Sequence, residues 1–374
     1  MSPKRVALTD VCDFLDYMRK PITAKDRIAG PYPYYGANGV LDYIDSWIFD
    51  EELVLLAEDG GFFDEPERGV AYRISGKTWV NNHAHVLRPK NNINVDYLGY
   101  ALKQYDVRSI VTGATVKKIT QKSAREMKIP LPSLDEQKRI VKILDEADLL
   151  RQKRKEAICL LDRYLISKFH EIFGDPVSNP KEFEIVSLGK ILKSMTSGSR
   201  GWAKYFSDEG DYFLTIKNVG RDNRLRLDNI TKINPPVNAE AKRTRVIEND
   251  ILMSITADLG RTIVVPKLDR NAYINQHLVI LRIDDLVDPV YISHYLSTEA
   301  GQRQLGALNK GAAKAGLNFD DVRSIKVMLP PFNLQKRYSN IVAITEKLRF
   351  QMIKQQDELN NQFNALMQKA FKDK

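Results

Sequence analysis

The sequence predicts an α+β fold: two mixed α/β domains in tandem repeat, separated by two long antiparallel helices forming a coiled coil. Three observations predict it. One segment of the chain returns at a fixed offset, each copy is followed by a long stretch free of glycine and proline, and short β-type runs precede each copy. The resulting division is residues 1–132 for the first globular domain, 133–174 for the first helix, 175–331 for the second globular domain and 332–374 for the second helix.

The repeat has an offset of 198 residues. Ile129-Pro130-Leu131-Pro132-Ser133-Leu134-Asp135-Glu136-Gln137-Lys138-Arg139 returns as Val327-Met328-Leu329-Pro330-Pro331-Phe332-Asn333-Leu334-Gln335-Lys336-Arg337. In both copies a short apolar strand stops at proline and a helix begins. The Gly113 to Thr120 loop corresponds to Gly311 to Asn318 at the same offset, and Glu52-Leu53-Val54 to Asp250-Ile251-Leu252. Between these, Asn81-Asn82-His83-Ala84-His85 matches Asn275-Gln276-His277-Leu278-Val279 at an offset of 194, so a loop differs in length.

From Leu134 to Phe173 there is neither glycine nor proline, enough for a helix of about 60 Å. Ile140, Ile143, Leu144, Ala147, Leu150, Ala157, Ile158, Leu161, Tyr164, Leu165, Phe169 and Ile172 recur at spacings of three and four. The second copy offers Ile341, Ile344, Leu348, Met352, Leu359, Phe363, Leu366 and Ala370. Each helix has one apolar stripe to bury, and burying the two against each other is the economical solution. Ile143, Leu150, Leu161, Ile341, Leu348, Leu359 and Leu366 are the expected interhelix contacts.

The globular stretches alternate apolar runs with polar turns. Strands are expected at Leu53 to Ala57, Val70 to Ile74, His85 to Leu87, Ile251 to Ile255, Thr262 to Val265 and Val279 to Ile283, with helices near Asp96 to Tyr105 and Tyr291 to Arg303. Gly174-Asp175-Pro176-Val177-Ser178-Asn179-Pro180 reads as the boundary between the repeats.

Composition narrows the function. The 374 residues are 43% hydrophobic and 28% charged, and no apolar run reaches the roughly 20 residues that span a bilayer. Asp10, Asp13 and Asp16 interrupt any secretory h-region, and the two cysteines, Cys12 and Cys159, read as buried small hydrophobes of helices, so a cytoplasmic protein is expected. A net charge of +9 is the sign expected of a polyanion's partner.

Catalytic motifs are incomplete. Asn234-Pro235-Pro236-Val237 has valine where a base-flipping methyltransferase needs an aromatic ring. Glu136-Gln137-Lys138 suggests a nuclease, but its repeat partner Leu334-Gln335-Lys336 lacks the carboxylate, so the shared role is structural, at the helix start. His83 and His85 lack further ligands in sequence, and no phosphate-binding loop or nucleophile elbow occurs. No catalytic residue, metal or cofactor is expected on this chain.

A Leu-Pro strand end, a helix opening on Glu-Gln-Lys-Arg-Ile and a second copy near the C-terminus resemble the specificity subunit of type I restriction-modification systems. Pro33-Tyr34-Tyr35-Gly36-Ala37-Asn38-Gly39, Thr196-Ser197-Gly198-Ser199 and the Gly113 and Gly311 loops resemble landmarks of that family's target-recognition domains. The resemblance implies that each domain reads one half of a bipartite, asymmetric site in double-stranded DNA. It also implies that the helices set the spacer and dock two methyltransferase subunits, with restriction-translocase subunits joining the full complex. S-adenosylmethionine, ATP and Mg would then sit on partner subunits alone. The second copy departs from the first in carrying Phe332-Asn333-Leu334 for Leu134-Asp135-Glu136. A self-contained DNA-modifying enzyme and a coiled-coil adaptor without a DNA role are the alternatives.

Residues that touch DNA are inferred from chemistry. Glycine admits a backbone to close approach, and neighbouring basic or amide side chains reach phosphates and base edges. This selects Lys77, Lys117, Lys118, Ser197, Ser199, Arg200, Arg261, Lys310 and Lys314, and the polar turns add Tyr35, Asn38, Lys217, Asn218 and Arg221. The run Arg151-Gln152-Lys153-Arg154-Lys155 lies mid-helix and reads as a solvated or subunit-facing surface.

Overall fold

The computed structural model describes residues 3–65, 68–113, 115–309 and 316–371. These form two compact units, residues 1–156 with 353–374 and residues 157–352, so that each long helix contributes one half to each unit.

The first unit centres on a four-stranded antiparallel sheet ordered Cys12–Phe14, Ala84–Pro89, Leu53–Ala57, Ala71–Ile74. All five residues of Leu53–Ala57 are buried because both faces of that strand are covered. Val54 and Leu56 pack with Leu98 and Leu102 of helix Val95–Lys103, while Leu53 and Leu55 pack with Phe49, Ile74, Val80 and Val86. Of these, Phe49 and Val80 belong to a second sheet, in which Ala29–Gly36 runs parallel to Lys77–Val80. A ribbon of Arg5–Ala7 with Lys128–Pro130 delivers the chain to the first long helix, Leu134–Phe173.

The second unit repeats this plan. Its central sheet is ordered Leu192–Ser197, Leu278–Ile283, Ile251–Ser254, Thr262–Val264, and its second sheet again holds a parallel pair, Asp211–Leu214 with Ala272–Ile274. Glu184–Ser187 pairs with Lys326–Leu329 ahead of the second long helix, Phe332–Phe371. The helix expected over Tyr291 to Arg303 is two helices, Pro289–Ser297 and Glu299–Asn309. Thr298 divides them: its extended backbone ends the first, and its hydroxyl accepts from the Gly301 amide in the second.

Within each unit opposite ends of the two long helices meet, which makes the pair antiparallel. Val141 and Leu144 share a core with Phe363, Met367 and Phe371, while Leu165, Phe169, Ile172 and Phe173 share one with Tyr338 and Val342. Several expected interhelix residues are corrected by this packing. Ile143, Leu150 and Leu348 are 37%, 56% and 45% exposed, whereas Leu161, Ile341, Leu359 and Leu366 are half-buried. The seam of the second helix follows Tyr338, Val342, Thr345, Arg349, Met352 and Phe363, all buried. Polar residues occupy part of this heptad track, and counting apolar positions therefore placed the stripe one residue early. Cys159 is exposed, and Cys12 is buried in a strand rather than a helix.

The repeat explains how domains are fastened to helices. Gln137 and Gln335 are both fully buried at the start of their helices. Gln137 accepts from the Asn94 amide at 2.8 Å and donates to the Pro132 carbonyl at 3.0 Å; Gln335 accepts from the Asp288 amide at 2.8 Å and donates to the Pro330 carbonyl at 2.7 Å. Asn94 and Asp288 are themselves the N-caps of the domain helices, so one amide side chain ties two helix starts together. Tyr97 and Tyr291 likewise donate to the Pro130 and Met328 carbonyls, at 3.0 and 2.7 Å.

Candidate nucleic-acid interface

In the first unit three loops converge. Residues 58–64 follow the buried Leu53–Ala57 strand, residues 112–119 lie against them through an Asp59–Lys118 bridge, and Asn38 at the tip of the 36–39 turn donates to the Gly60 carbonyl at 2.8 Å. The 112–119 loop can turn because Gly113 has φ +98°, and a Cβ there would lie 2.1 Å from the Val116 carbonyl oxygen. Lys117, Lys118 and Asn38 are thereby brought together and exposed. Lys117 is ion-paired with Asp64 at 2.6 Å. Tyr35 lies alongside, its ring 5.9 Å from that of Tyr72, and burial holds its phenol above the ordinary tyrosine range, hence protonated.

Lys77 stands apart from this cluster. It opens the Lys77–Val80 strand, three residues from the Val80 that pairs with Tyr35, a separation of about 10 Å. Its ammonium sits 3.9 Å over the Trp47 ring, in an exposed aromatic patch with Tyr32.

Beneath the loop cluster, Asp16, Glu58 and His85 bring potential metal ligands within 4.8 Å of one another. Their hydrogen bonds are already assigned to the fold. His85 Nδ1 faces Asp16 at 2.7 Å and Nε2 faces the Ile119 carbonyl at 2.9 Å, while the Arg19 guanidinium pairs with Glu58 at 2.7 Å and Asp16 at 3.5 Å. Burial opposes the Asp16 charge, but the His85 hydrogen bond and charge outweigh it and hold the carboxyl below its ordinary range. With Ile119 also donating to the Glu58 carbonyl at 2.7 Å, the cluster fastens the loop that carries Lys117 and Lys118.

The second unit distributes its predicted residues differently. Ser197 and Ser199 are engaged by Arg243, which reaches the Ser197 carbonyl at 2.5 Å and the Ser199 hydroxyl at 3.1 Å. Gly198 lies buried with its α-carbon against the Ile274 and Asn275 backbone, where a Cβ would meet a carbonyl oxygen at 2.2 Å. This glycine serves sheet packing rather than the approach of a phosphate. Asn218 is buried as well: it closes its own turn by accepting from the Thr215 amide and donating to the Arg226 carbonyl, each at 2.8 Å. Arg261 is held by Asp258 and by the Val219 carbonyl at 3.1 Å. Arg200, Lys217 and Arg221 remain exposed, Arg221 paired with Asp258. Lys310 and Lys314 lie outside the described residues.

Sequence reasoning missed Asp64 and Asp258, the carboxylates that hold the loop cations, and Arg243 and Arg224, whose partners are distant in sequence. It also missed Tyr97 and Tyr291, although their common offset of 194 residues with the His83 and His277 segments was a usable signal.

No helix among the described residues is long and apolar enough to cross a membrane. Residues 4–159 and 180–361 match the type I restriction modification DNA specificity domain. A Haemophilus influenzae protein named as a type I restriction enzyme specificity subunit is 28% identical over 360 residues, covering 91% of this chain and 86% of its own. The EcoBI specificity subunit of Escherichia coli is 22% identical, covering 87% of this chain and 74% of its own. Among solved structures, the S subunit of a type I restriction-modification system from M. genitalium superimposes over the whole of both chains with a TM-score of 0.60 at 15% identity.

Proposed function

Because the chain belongs to the type I restriction-modification specificity family, we propose that it is the non-catalytic subunit that directs a methyltransferase to a bipartite, asymmetric DNA site. Residues 1–132 read one half and residues 175–331 the other, and the helices of residues 133–174 and 332–374 set the spacer between them. The observation that carries this reading is the duplicated fastening of two dissimilar loop sets onto one repeated frame. Gln137 and Gln335, Tyr97 and Tyr291 make the same bonds, while the loops that the frame carries hold different cations by different acids, Lys117 by Asp64 in the first unit and Arg221 by Asp258 in the second. A common frame with unlike loops suits two unlike half-sites.

On this reading Asn38, Tyr35, Lys117 and Lys118 contact the first half, with Lys77 at its margin, and Arg200, Lys217 and Arg221 contact the second. Ser197, Ser199, Asn218 and Arg261 act by shaping the loops that carry them. Lys310 and Lys314 belong with the second set by the repeat. The long helices supply the docking surfaces for two methyltransferase subunits: Leu149 and Leu150 are exposed on them in the first unit, and Leu160, Ile166, Ile344 and Leu348 in the second. S-adenosylmethionine belongs to those subunits, and ATP and Mg to the restriction-translocase subunits of the full assembly in the cytoplasm.

The test is to produce the chain with its methyltransferase subunit in a host lacking other such methylation and map methylated bases across the genome. One asymmetric two-part motif with a fixed spacer is expected. Matched four-residue insertions after Arg154 and after Met352 lengthen each helix by about 6 Å. They should change the spacer by one or two base pairs, at about 3.4 Å each, and leave both halves unaltered. An unchanged spacer removes the ruler.

A further inference from the structure

In the second unit, the turn 220–226 is pinned from two sides. Val219 and Leu225 bridge at its base, and the Gly220 amide donates to the Arg224 carbonyl at 2.9 Å. Asn223, at φ +59°, aims its amide at Thr262, Ser293 and Ser297 of the domain, with the Ser297 hydroxyl at 2.8 Å. The next residue faces the opposite way. Arg224 donates through Nε and Nη2 to the two carboxylate oxygens of Glu346 on the second long helix, at 2.9 and 2.7 Å, and through Nη2 to Asp162 on the first, at 2.7 Å. Arg349, 6% exposed, donates to the same Asp162 oxygen at 2.6 Å and to the Ile158 carbonyl at 3.1 Å.

The repeat supplies the control. At an offset of 198, Arg349 corresponds to Arg151, Glu346 to Asp148 and Asp162 to Asn360. In the first unit Arg151 likewise donates to Asp148 and Asn360, both at 2.9 Å, and rests on the Phe363 ring at 4.3 Å. One arginine and one carboxylate are there balanced charge for charge. In the second unit the amide position is a carboxylate, so Arg349 faces two acids and one negative charge is left over. Arg224 from the domain turn neutralises it, while Asp222 of the same turn, which Arg224 also meets at 3.0 Å, is balanced by Arg226 at 2.7 Å. Burial disfavours the Arg224 charge, but its hydrogen bonds to Glu346 and Asp162 outweigh that and hold its pKa above the ordinary arginine value.

We propose that Arg224 is a positioning residue that locks the 220–226 turn, and with it Arg221 and Lys217, to the helix pair, so that the second half-site is read in one fixed setting relative to the helices. The proposal rests on the two-half-site reading above and assigns the lock to the second half alone. Asp162 and Glu346 are its helix-borne anchors, and the bidentate fork to Glu346 requires arginine rather than lysine.

The experiment is genome-wide mapping of methylation by the complete methyltransferase complex carrying wild-type chain, Arg224→Gln or Asp162→Asn. For Arg224→Gln, methylation at sites with one wrong base in the second half, or a spacer one base pair off, should rise about 10-fold relative to the intended site, with first-half discrimination unchanged. Asp162→Asn leaves the domain untouched and should shift the same positions by less. It serves as the reporter if Arg224→Gln does not accumulate. Unaltered second-half and spacer discrimination in folded complexes of either variant overturns the lock, as does equal loosening of both halves, which marks general loss of stability. A wild-type complex that produces no two-part motif overturns the half-site reading itself, a result distinct from either variant outcome.

Discussion

The two junctions between domain and helix pair share a skeleton and differ in how it is filled. In each, a tyrosine of the domain helix meets a phenylalanine at the far end of a long helix in a tilted ring pair: Tyr97 with Phe371 at 5.2 Å, and Tyr291 with Phe173 at 4.7 Å. The ring is supplied by the helix that begins after the other domain, so neither domain is completed by its own repeat alone. The second junction is more heavily built. Phe173 also touches Phe169 and Tyr338, at 4.8 and 5.6 Å, and Phe169 stacks parallel to Tyr291 at 5.8 Å. In the first, Met367 takes the place of Phe169. Duplication thus preserved the points of attachment while the aromatic mass and the charges around them diverged.

The largest effect that can test this difference is truncation of the paired rings. Phe173→Ala removes a fully buried ring from a four-ring cluster and should cost about 3–5 kcal/mol in chemical denaturation. Phe371→Ala, at 6% exposure and with fewer ring partners, should cost less, about 2–3 kcal/mol. Equal losses would mean that the added rings of the second junction contribute nothing beyond area.

How much of this was legible in sequence depends on whether a contact is local and repeated. The strand ends at Pro130 and Leu329, the long helices and the buried strands at Leu53 and Ile251 follow from periodicity and breakers, signals within a few residues of each other. The structural role of Gln137 was visible because Gln335 repeats it without the neighbouring acid. The phase of the helix seam was not, because Thr345 and Arg349 take inward positions that an apolar count skips, and Arg349 does so with Asp162 and the Ile158 carbonyl, far away in the chain, as partners. The loop residues fared by the same rule. Glycine signals located Lys117 and its turn, but Gly198 answers to a neighbouring strand, and Asn218 to its own turn, neither of which carries a mark distinguishing it from a DNA-facing loop. Charge alone cannot separate Arg221, which is exposed, from Arg261, which braces Val219.

A second contrast concerns acid. Tyr100 of the first unit corresponds to His294 of the second at the 194-residue offset. Tyr100 donates to Asp145 at 2.7 Å, whereas His294 faces the Tyr338 hydroxyl at 2.9 Å, and burial pushes its pKa down to about 4. A histidine kept neutral when folded binds its proton more readily unfolded, so its stabilisation is full above pH 6.5 and is lost as pH falls toward 4. The second unit should therefore lose about 3 kcal/mol across that window. His294→Gln, which retains a hydrogen-bond partner for Tyr338, should flatten the profile in thermal melts at stepped pH. An unchanged profile would place the acid sensitivity elsewhere.

The smallest effects separate the two loop sets. Lys117 is neutralised by one carboxylate, Asp64, whereas Asp258 serves both Arg221 and Arg261. A cation that meets phosphate must leave its internal acid, and that acid then repels the DNA. Lys117→Ala and Arg221→Ala should each lower the salt dependence of DNA binding by about one unit of slope. Arg261→Ala should leave the slope unchanged and loosen the loop instead, since its guanidinium braces the Val219 carbonyl. Asp64→Asn should tighten binding to non-cognate duplex a few-fold, through a gain of about 0.5–1 kcal/mol, because an exposed ion pair contributes no more than that. Binding titrations across a salt series on the complete complex read all four variants. If Arg261→Ala flattens the slope as much as Arg221→Ala does, the two arginines share one role and the division between reading and bracing residues in the second unit fails.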